Sequence, residues 1–344
     1  MALTAGVHPR TTMADNLLTP WTRSVARAVF CHAGGAAWMR RRFHHSVRIL
    51  MYHRFPPESR FEAQCAHLRT HYEPVSLSVA LTCLRAGETL SENPVVLTVD
   101  DGYRDFLQHA SPILKRYQIP ATVFLTTDLP DRGSWLWVDQ VVYCVRRSRV
   151  REIALDIGGT RRWTMDTVES REHAAVSIKE AMKRIPNEQR LELLNELPRL
   201  LEVELPAVPP DSHAPLHWDE VRTLARDGIE FGAHTRSHPI LSRLTSVDEL
   251  EDEITGSRRR IEREAGVEVR HFCYPNGTPA DISDKVVDIV KASGFTSAVT
   301  ATRGVNRSGA DMFRLRRIAV DACDEESSFA LAAAGHGISR QSKT

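Results

Sequence analysis

Short runs of aliphatic and β-branched residues recur along this chain, separated by stretches with helical periodicity. Val47–Tyr52, Val95–Val99, Ala121–Leu125, Ile229–Ala233, Val269–Tyr274, Thr296–Thr300 and Leu315–Val320 each read as a buried strand. Between the first two, Phe61, Cys65, Leu68 and Tyr72 fall on one helical face. Ser76 to Ala86 predicts a second helix, with Ser76 or Ser78 as N-cap and Gly87 beyond its end. A third runs from about Asp105 to Tyr117, with Pro112 marking a first turn or a kink. Further helices are predicted over Asp219–Asp227, from the capping box Ser246–Glu249 to about Ala265, over Ile282–Ala292 and near Ser327–Ala334. Strands joined by about a dozen helical residues form βαβ units and lie parallel. The expected fold is therefore α/β: a distorted (β/α) barrel of about seven parallel strands, with its chemistry at their C-terminal ends.

The alternation breaks between Asp128 and Pro215. A helix over Gln140–Arg146, a hairpin turning at Gly158-Gly159 and two charge-rich helices, Thr167–Ile185 and Asn187–Leu201, suggest a mainly helical insertion with solvated charged faces. The domain reading is an N-terminal extension, partly helical, over 1–45; a barrel over 46–325 carrying the insertion 128–215; and a C-terminal helix and loose tail over 326–344. Residues 1–20 show little periodicity and are expected to be loose. Ser24 to Met39 is moderately apolar, broken by Arg27 and His32, and followed by three arginines. It reads as a short packed helix with a basic end, with surface attachment to a membrane and a cleaved signal as alternatives.

Composition narrows the classes. The formal net charge is +1, so no global field calls for nucleic acid. Six dispersed cysteines without a CxxC pair read as reduced thiols. No apolar run reaches the roughly 18 residues of a membrane span. Together these favour the cytoplasm or the inner membrane surface.

The chemistry gathers at four strand ends. The first strand ends at His53, the next at Asp100-Asp101, a later one at His234 and His238, and the next at Tyr274-Pro275. Two close carboxylates repel when both are ionised, and a cation removes that cost. His234 and His238 with one Asp make a two-histidine, one-carboxylate set, which leaves positions open for water and substrate.

Thr98-Val99-Asp100-Asp101-Gly102 resembles the TFDDG motif of the polysaccharide deacetylases, the NodB-homology group of carbohydrate esterases. His234-Thr235-Arg236-Ser237-His238-Pro239 resembles their H-[ST]-x-x-H-P motif, and Phe272 to Gly277 their F-x-x-P-x-G motif. Ile49 to Arg54 is similar to the start of an exopolysaccharide branch. The resemblance implies hydrolysis of N-acetyl groups on amino sugars of a poly- or oligosaccharide. It implies that Asp101, His234 and His238 bind a divalent metal, usually Zn2+, and that Asp100 is the general base. It also implies that the backbone N–H of Tyr274 helps hold the oxyanion while Pro275 and Gly277 shape that loop.

The chain departs from the family in two places. Cys273 stands where many members carry the arginine that orients the base, and Arg270 or Arg317 is the candidate replacement. The late Leu-x-His motif is not evident. Leu107-Gln108-His109 has its letters inside a helix, and His53 is preferred to His336 as the pocket histidine. Trp135, Trp137 and Asp139 read either as a sugar-binding wall or as core of the insertion. The rival functions are an O-acetyl or non-sugar amide hydrolase on the same barrel, and a catalytically silent carbohydrate-binding protein.

Overall fold

The computed structural model describes residues 27–31, 33–88, 92–132 and 134–338. The stretch 1–20, expected to be loose, lies outside them, as does the start of the segment Ser24–Met39.

Ten strands are described: β1 (Arg48–Tyr52), β2 (Glu73–Pro74), β3 (Pro94–Val99), β4 (Ala121–Leu125), β5 (Glu152–Asp156), β6 (Thr160–Thr164), β7 (Glu230–Ala233), β8 (His271–Cys273), β9 (Ser297–Arg303) and β10 (Leu315–Ala319). Seven of them close a parallel ring in the order β1-β3-β4-β7-β8-β9-β10 and back to β1. β2 pairs with β3 outside the ring. The expected barrel is therefore present, and the strands that make it are the apolar runs of the sequence.

Alternation along each strand divides the core. Ile49, Val96, Phe124, Cys273, Val299 and Leu315 meet in one cluster with Leu77, Leu81 and Leu84. Their neighbours Leu50, Leu97, Val123, Phe231 and Phe272 pack with the outer helices in another. The helix Leu77–Ala86 lies at the N-terminal ends of the strands. There Ser78 Oγ donates to Glu230, and His271 Nε2 stands 3.2 Å from the same carboxylate.

Pro112 has a visible local effect. It falls in the first turn of the helix Ser111–Tyr117, and the preceding turn, Phe106–Ala110, is a π-helix rather than a regular α-turn. Proline has no N–H to continue the ladder, so the widened turn precedes it. Ser246 caps the helix Val247–Ala265 as expected. The side chain of Glu249, however, accepts from Asn187 Nδ2 at 3.2 Å, which ties the insertion to the barrel.

The insertion has its own core. Trp137–Arg147, the β5–β6 hairpin and the helices Val168–Met182 and Asn187–Leu200 enclose Val141, Cys144, Ile153, Trp163, Ile178 and Leu197. Its charges are not all solvated, as the sequence suggested. Arg190 is buried with its guanidinium 4.8 Å from the Trp137 ring centroid, and Lys183 is only 12% exposed. No helix among the described residues is long and apolar enough to cross a membrane. All six cysteines are free.

Candidate active site

The ring presents four loops on one face, and two of them, after β3 and after β7, bring Asp101, His234 and His238 together. His234 Nε2 and His238 Nε2 each lie 3.5 Å from Asp101 Oδ1. Donors at bond lengths of about 2.0–2.1 Å around a tetrahedral ion stand about 3.3 Å apart, so the spacing is that of a coordination shell. His234 Nδ1 lies 2.8 Å from the carbonyl of Cys273. A carbonyl only accepts, so Nδ1 carries the proton and Nε2 offers its lone pair toward Asp101. Asp101 Oδ1 and His238 Nδ1 are buried without a hydrogen-bond partner. Buried polar atoms are rarely left so, and a cation would engage Oδ1.

The electrostatics agree with that chemistry. Burial, then the charge of Asp100, pushes the Asp101 carboxyl well above its ordinary range. Burial lowers His234 to about 4, and it pushes His238 well down with His234 adding to the effect. Both imidazoles are thus neutral at neutral pH and could ligate a cation, beside a carboxylate that burial disfavours as an anion. A second cluster, Asp100, His234 and Cys273, is also close enough to ligate. It fits less well, because Arg317 already occupies both Asp100 oxygens and the Cys273 sulfur.

Arg317 is the finding that spacing alone left open. From β10 it donates Nη1 to Asp100 Oδ1 and Nη2 to Oδ2, each at 2.7 Å, and Nε to the Thr300 carbonyl at 2.9 Å. Burial alone would raise the Asp100 carboxyl, but this planar fork holds it well below the usual carboxylate range. Arg270 is exposed and pairs with Glu268 instead. Cys273 lies between them with Sγ 3.5 Å from Asp100 Oδ2, and burial pushes its thiol far up.

The loops are held in conformations that side chains rarely adopt. Asp101 (φ 73°), Thr235 (φ 65°), His238 (φ 60°) and Asn276 (φ 58°) are four of the seven non-glycine residues at positive φ among the described residues. Each costs of order 1–3 kcal/mol, and such strain concentrates where function fixes geometry. The histidine loop has its own supports. Glu253, on the helix Val247–Ala265, accepts from the backbone N–H groups of Arg236 and Ser237 at 2.8 and 3.0 Å, and Thr235 Oγ1 accepts from His238 N–H at 3.0 Å. Gly277, at φ 61°, lies so close to β9 that a Cβ would come within 2.8 Å of Ala301 N.

Other expected residues fall out as follows. His53, at the end of β1, is on the same face, its side chain 44% exposed and Nε2 3.9 Å from Asp100 Oδ2. His336 sits with Phe30, and His109 lies on the π-helical turn after β3. Pro275 is buried behind the site. The backbone N–H of Tyr274 donates to the Val299 carbonyl at 3.3 Å, so the strand ladder already uses the donor expected for an oxyanion. The Tyr274 hydroxyl donates to the Phe313 carbonyl at 3.0 Å.

The insertion reaches the site through three side chains, Trp137, Asp139 and Lys183. Trp137 Nε1 donates to the His238 carbonyl at 2.9 Å, Tyr103 Oη donates to Asp139 Oδ2 at 2.6 Å, and Lys183 Nζ donates to Asn276 Oδ1 at 2.8 Å. Trp137 is buried under Arg190, so it is core and cannot present a face to a sugar. Trp135 is partly exposed, with its ring 4.8 Å from Tyr143 and 5.4 Å from His213.

A family model described as polysaccharide deacetylase matches residues 87–158 and 207–298, the segments that carry both aspartates and both histidines. Over these segments, just under half of the chain, it resembles the polysaccharide deacetylase family. Poly-beta-1,6-N-acetyl-D-glucosamine N-deacetylase of Escherichia coli (strain K12) is 37% identical over 103 residues, 28% of this chain and 15% of that protein. The Bacillus subtilis (strain 168) protein YxkH, which carries a provisional polysaccharide deacetylase name, is 34% identical over 98 residues, 26% of this chain and 35% of that one. The match thus spans about a third or less of these relatives. Among solved structures, IcaB from Ammonifex degensii aligns over 85% of this chain and 98% of its own, with a TM-score of 0.54 at 17% identity. PplD of Streptococcus pyogenes, solved with acetate, aligns over 80% and 93%, with a TM-score of 0.52 at 19% identity. At these identities the likeness is one of fold.

Proposed function

We propose that this chain is a metal-dependent N-deacetylase acting on an N-acetylated amino sugar of a poly- or oligosaccharide. The observation that carries the reading is the pairing of two sets on one strand-end face: Asp101, His234 and His238 beside the Arg317-clamped Asp100. Asp101 Oδ1 and the two Nε2 atoms would hold a divalent ion, for which the nitrogen-rich donor set favours Zn2+. When bound, such an ion supplies a Lewis acid for the acetyl carbonyl and a water of lowered pKa.

The chain's own residues do the rest. Asp100, kept ionised by Arg317, takes the proton of the attacking water on the free lone pairs of its carboxylate. Arg317 fixes the plane of that carboxylate, so the base is aimed before substrate arrives. His53, 3.9 Å from Asp100, is placed to pass that proton on to the departing amine. The strained Asn276-Gly277 turn and the insertion shape the mouth. The division into a catalytic unit over 46–325, with 128–215 inserted, belongs to this proposal and is supported by the separate core of the insertion. The free thiols suit a reducing compartment, so we place the protein in the cytoplasm or on the inner membrane surface.

The test is acetate release from N-acetylglucosamine oligomers. Wild-type protein should release acetate, and Asp100→Asn should lower the rate by about a hundredfold or more while keeping bound metal. Release from O-acetylated but not N-acetylated substrates would favour an esterase. Absence of stoichiometric metal and of any release would favour a silent carbohydrate-binding protein.

A further inference from the structure

Among the described residues, the two large aromatic side chains left substantially exposed are neighbours in the chain. Phe30 is 42% exposed and Trp38 58%, and Val29 beside them is 64% exposed. They sit where the charge of the chain is most lopsided. Between Asp15 and Glu58 there is no acidic residue, while Arg23, Arg27, Arg40, Arg41, Arg42, Arg48 and Arg54 fall in that interval. The whole chain carries a formal +1, so this is a local basic segment and not a global field.

The fold holds the segment in one orientation. Helix Gly35–Arg42 buries Gly35, Ala36 and Met39, and Ala36 and Met39 pack against Ala330, Leu331 and Ala334 of the C-terminal helix Glu326–Ala334. Phe30 folds back so that a Cβ on Gly35 would be 2.5 Å from its ring. Gly35, Trp38 and Arg42 follow at three- and four-residue steps along one stripe. Phe30, Trp38 and Arg42 thus make one continuous strip, with the Arg42 guanidinium 5.9 Å from the Trp38 ring centroid. Arg41 is exposed one position further round. Arg40 and Arg48 belong to the inner side, since Arg48 donates to the Arg40 carbonyl and both guanidinium groups lie near Tyr72.

We propose that residues 27–42 dock the protein on an anionic phospholipid surface. Phe30, Val29 and Trp38 enter the headgroup boundary, and Arg41 and Arg42 meet lipid phosphates. The chemistry is that of an interfacial amphipathic element: indole and phenyl rings at headgroup depth, flanked by arginines, on a helix whose other face is occupied. The helix leads into the N-terminal end of β1, and the metal cluster stands at the C-terminal ends of the strands. Docking through it therefore leaves the site facing away from the lipid. This inference is independent of the deacetylase reading.

Co-sedimentation of the full-length chain with phosphatidylcholine vesicles, with and without phosphatidylglycerol, tests it. Binding is expected only to the vesicles containing phosphatidylglycerol and should weaken as salt rises. Arg41→Gln and Arg42→Gln should each weaken partitioning about fivefold. Trp38→Ser and Phe30→Ser should weaken it as well, with circular dichroism unchanged. No sedimentation with anionic vesicles would overturn the proposal, as would equal binding to neutral ones. Loss with the arginine variants alone, with Trp38→Ser and Phe30→Ser at wild-type level, would also overturn it and point to a soluble polyanion instead.

Discussion

Arg317 grips both carboxylate oxygens of Asp100 at 2.7 Å, across 217 residues of chain. The pair is buried and planar, and it sits beside a thiol that cannot replace either partner. Arg317→Met would strand a buried carboxylate, at a cost of about 3–5 kcal/mol. Urea unfolding should register that loss, and acetate release should fall with it. Cys273→Ala should leave release within about threefold of wild type, because the charge partner is Arg317. A large loss in Cys273→Ala with full activity in Arg317→Met would reverse this assignment.

Asp101, His234 and His238 should be separable from Asp100 by metal content. Elemental analysis is expected to find about one divalent ion per chain in the wild type and in Asp100→Asn. Asp101→Asn, His234→Ala and His238→Ala should each lose it. Retention of stoichiometric metal in all three would remove them as ligands.

The Trp137 indole hydrogen bond supports His238, a proposed metal ligand, from outside the barrel. Trp137→Phe keeps the ring but leaves the His238 carbonyl without its donor, a loss of about 1–3 kcal/mol if the carbonyl stays dry. Partners of this kind typically change metal affinity by about 10–100-fold. Competition against a chelator would measure the change, and an unaltered affinity would make the contact purely architectural.

His53 should matter for the leaving group more than for metal. His53→Ala is expected to slow acetate release from an N-acetyl sugar by about a hundredfold. An activated aryl acetate, whose aryloxide leaves without a proton, should lose much less. Equal losses on both substrates would argue against a proton role.

Glu230 gives a pH dependence far from the site. Burial would raise its carboxyl, but hydrogen bonds from His271, Ser78 and Thr122 hold it at about 2. In the unfolded chain it titrates near 4.3. Its contribution, about 3 kcal/mol, is therefore present in full above about pH 4.5 and is lost as pH falls toward 2. Denaturant midpoints at pH 6 and pH 3 should differ less in Glu230→Gln than in wild type.

The sequence made the barrel legible because parallel strands buried on both faces are written as continuous apolar runs, and β1, β3 and β4 are buried at every position. The candidate ligands were legible because each stands at or just beyond the end of such a run. Arg317 was not, although a signal existed. In Leu315-Arg316-Arg317-Ile318 the inward register of Leu315 repeats at Arg317, so an arginine was being buried inside a barrel. Trp137, Lys183 and Glu253 left no comparable trace. Their positions depend on how the insertion and the helix Val247–Ala265 come to rest on the loops, and periodicity carries no information about that.

The Trp137–His238 contact also limits how far this protein can be trimmed. Residues on either side of the insertion already lie against the loop after β3, where Tyr103 bridges Pro215 and the Leu216 N–H donates to the Gly102 carbonyl at 2.9 Å. A shortcut from Thr127 to Leu216 would thus be easy to close as a chain. It would nevertheless remove the indole from behind His238, the carboxylate from Tyr103 and the ammonium from Asn276 in one cut. A minimal version of the protein needs three replacement groups, not merely a shorter loop.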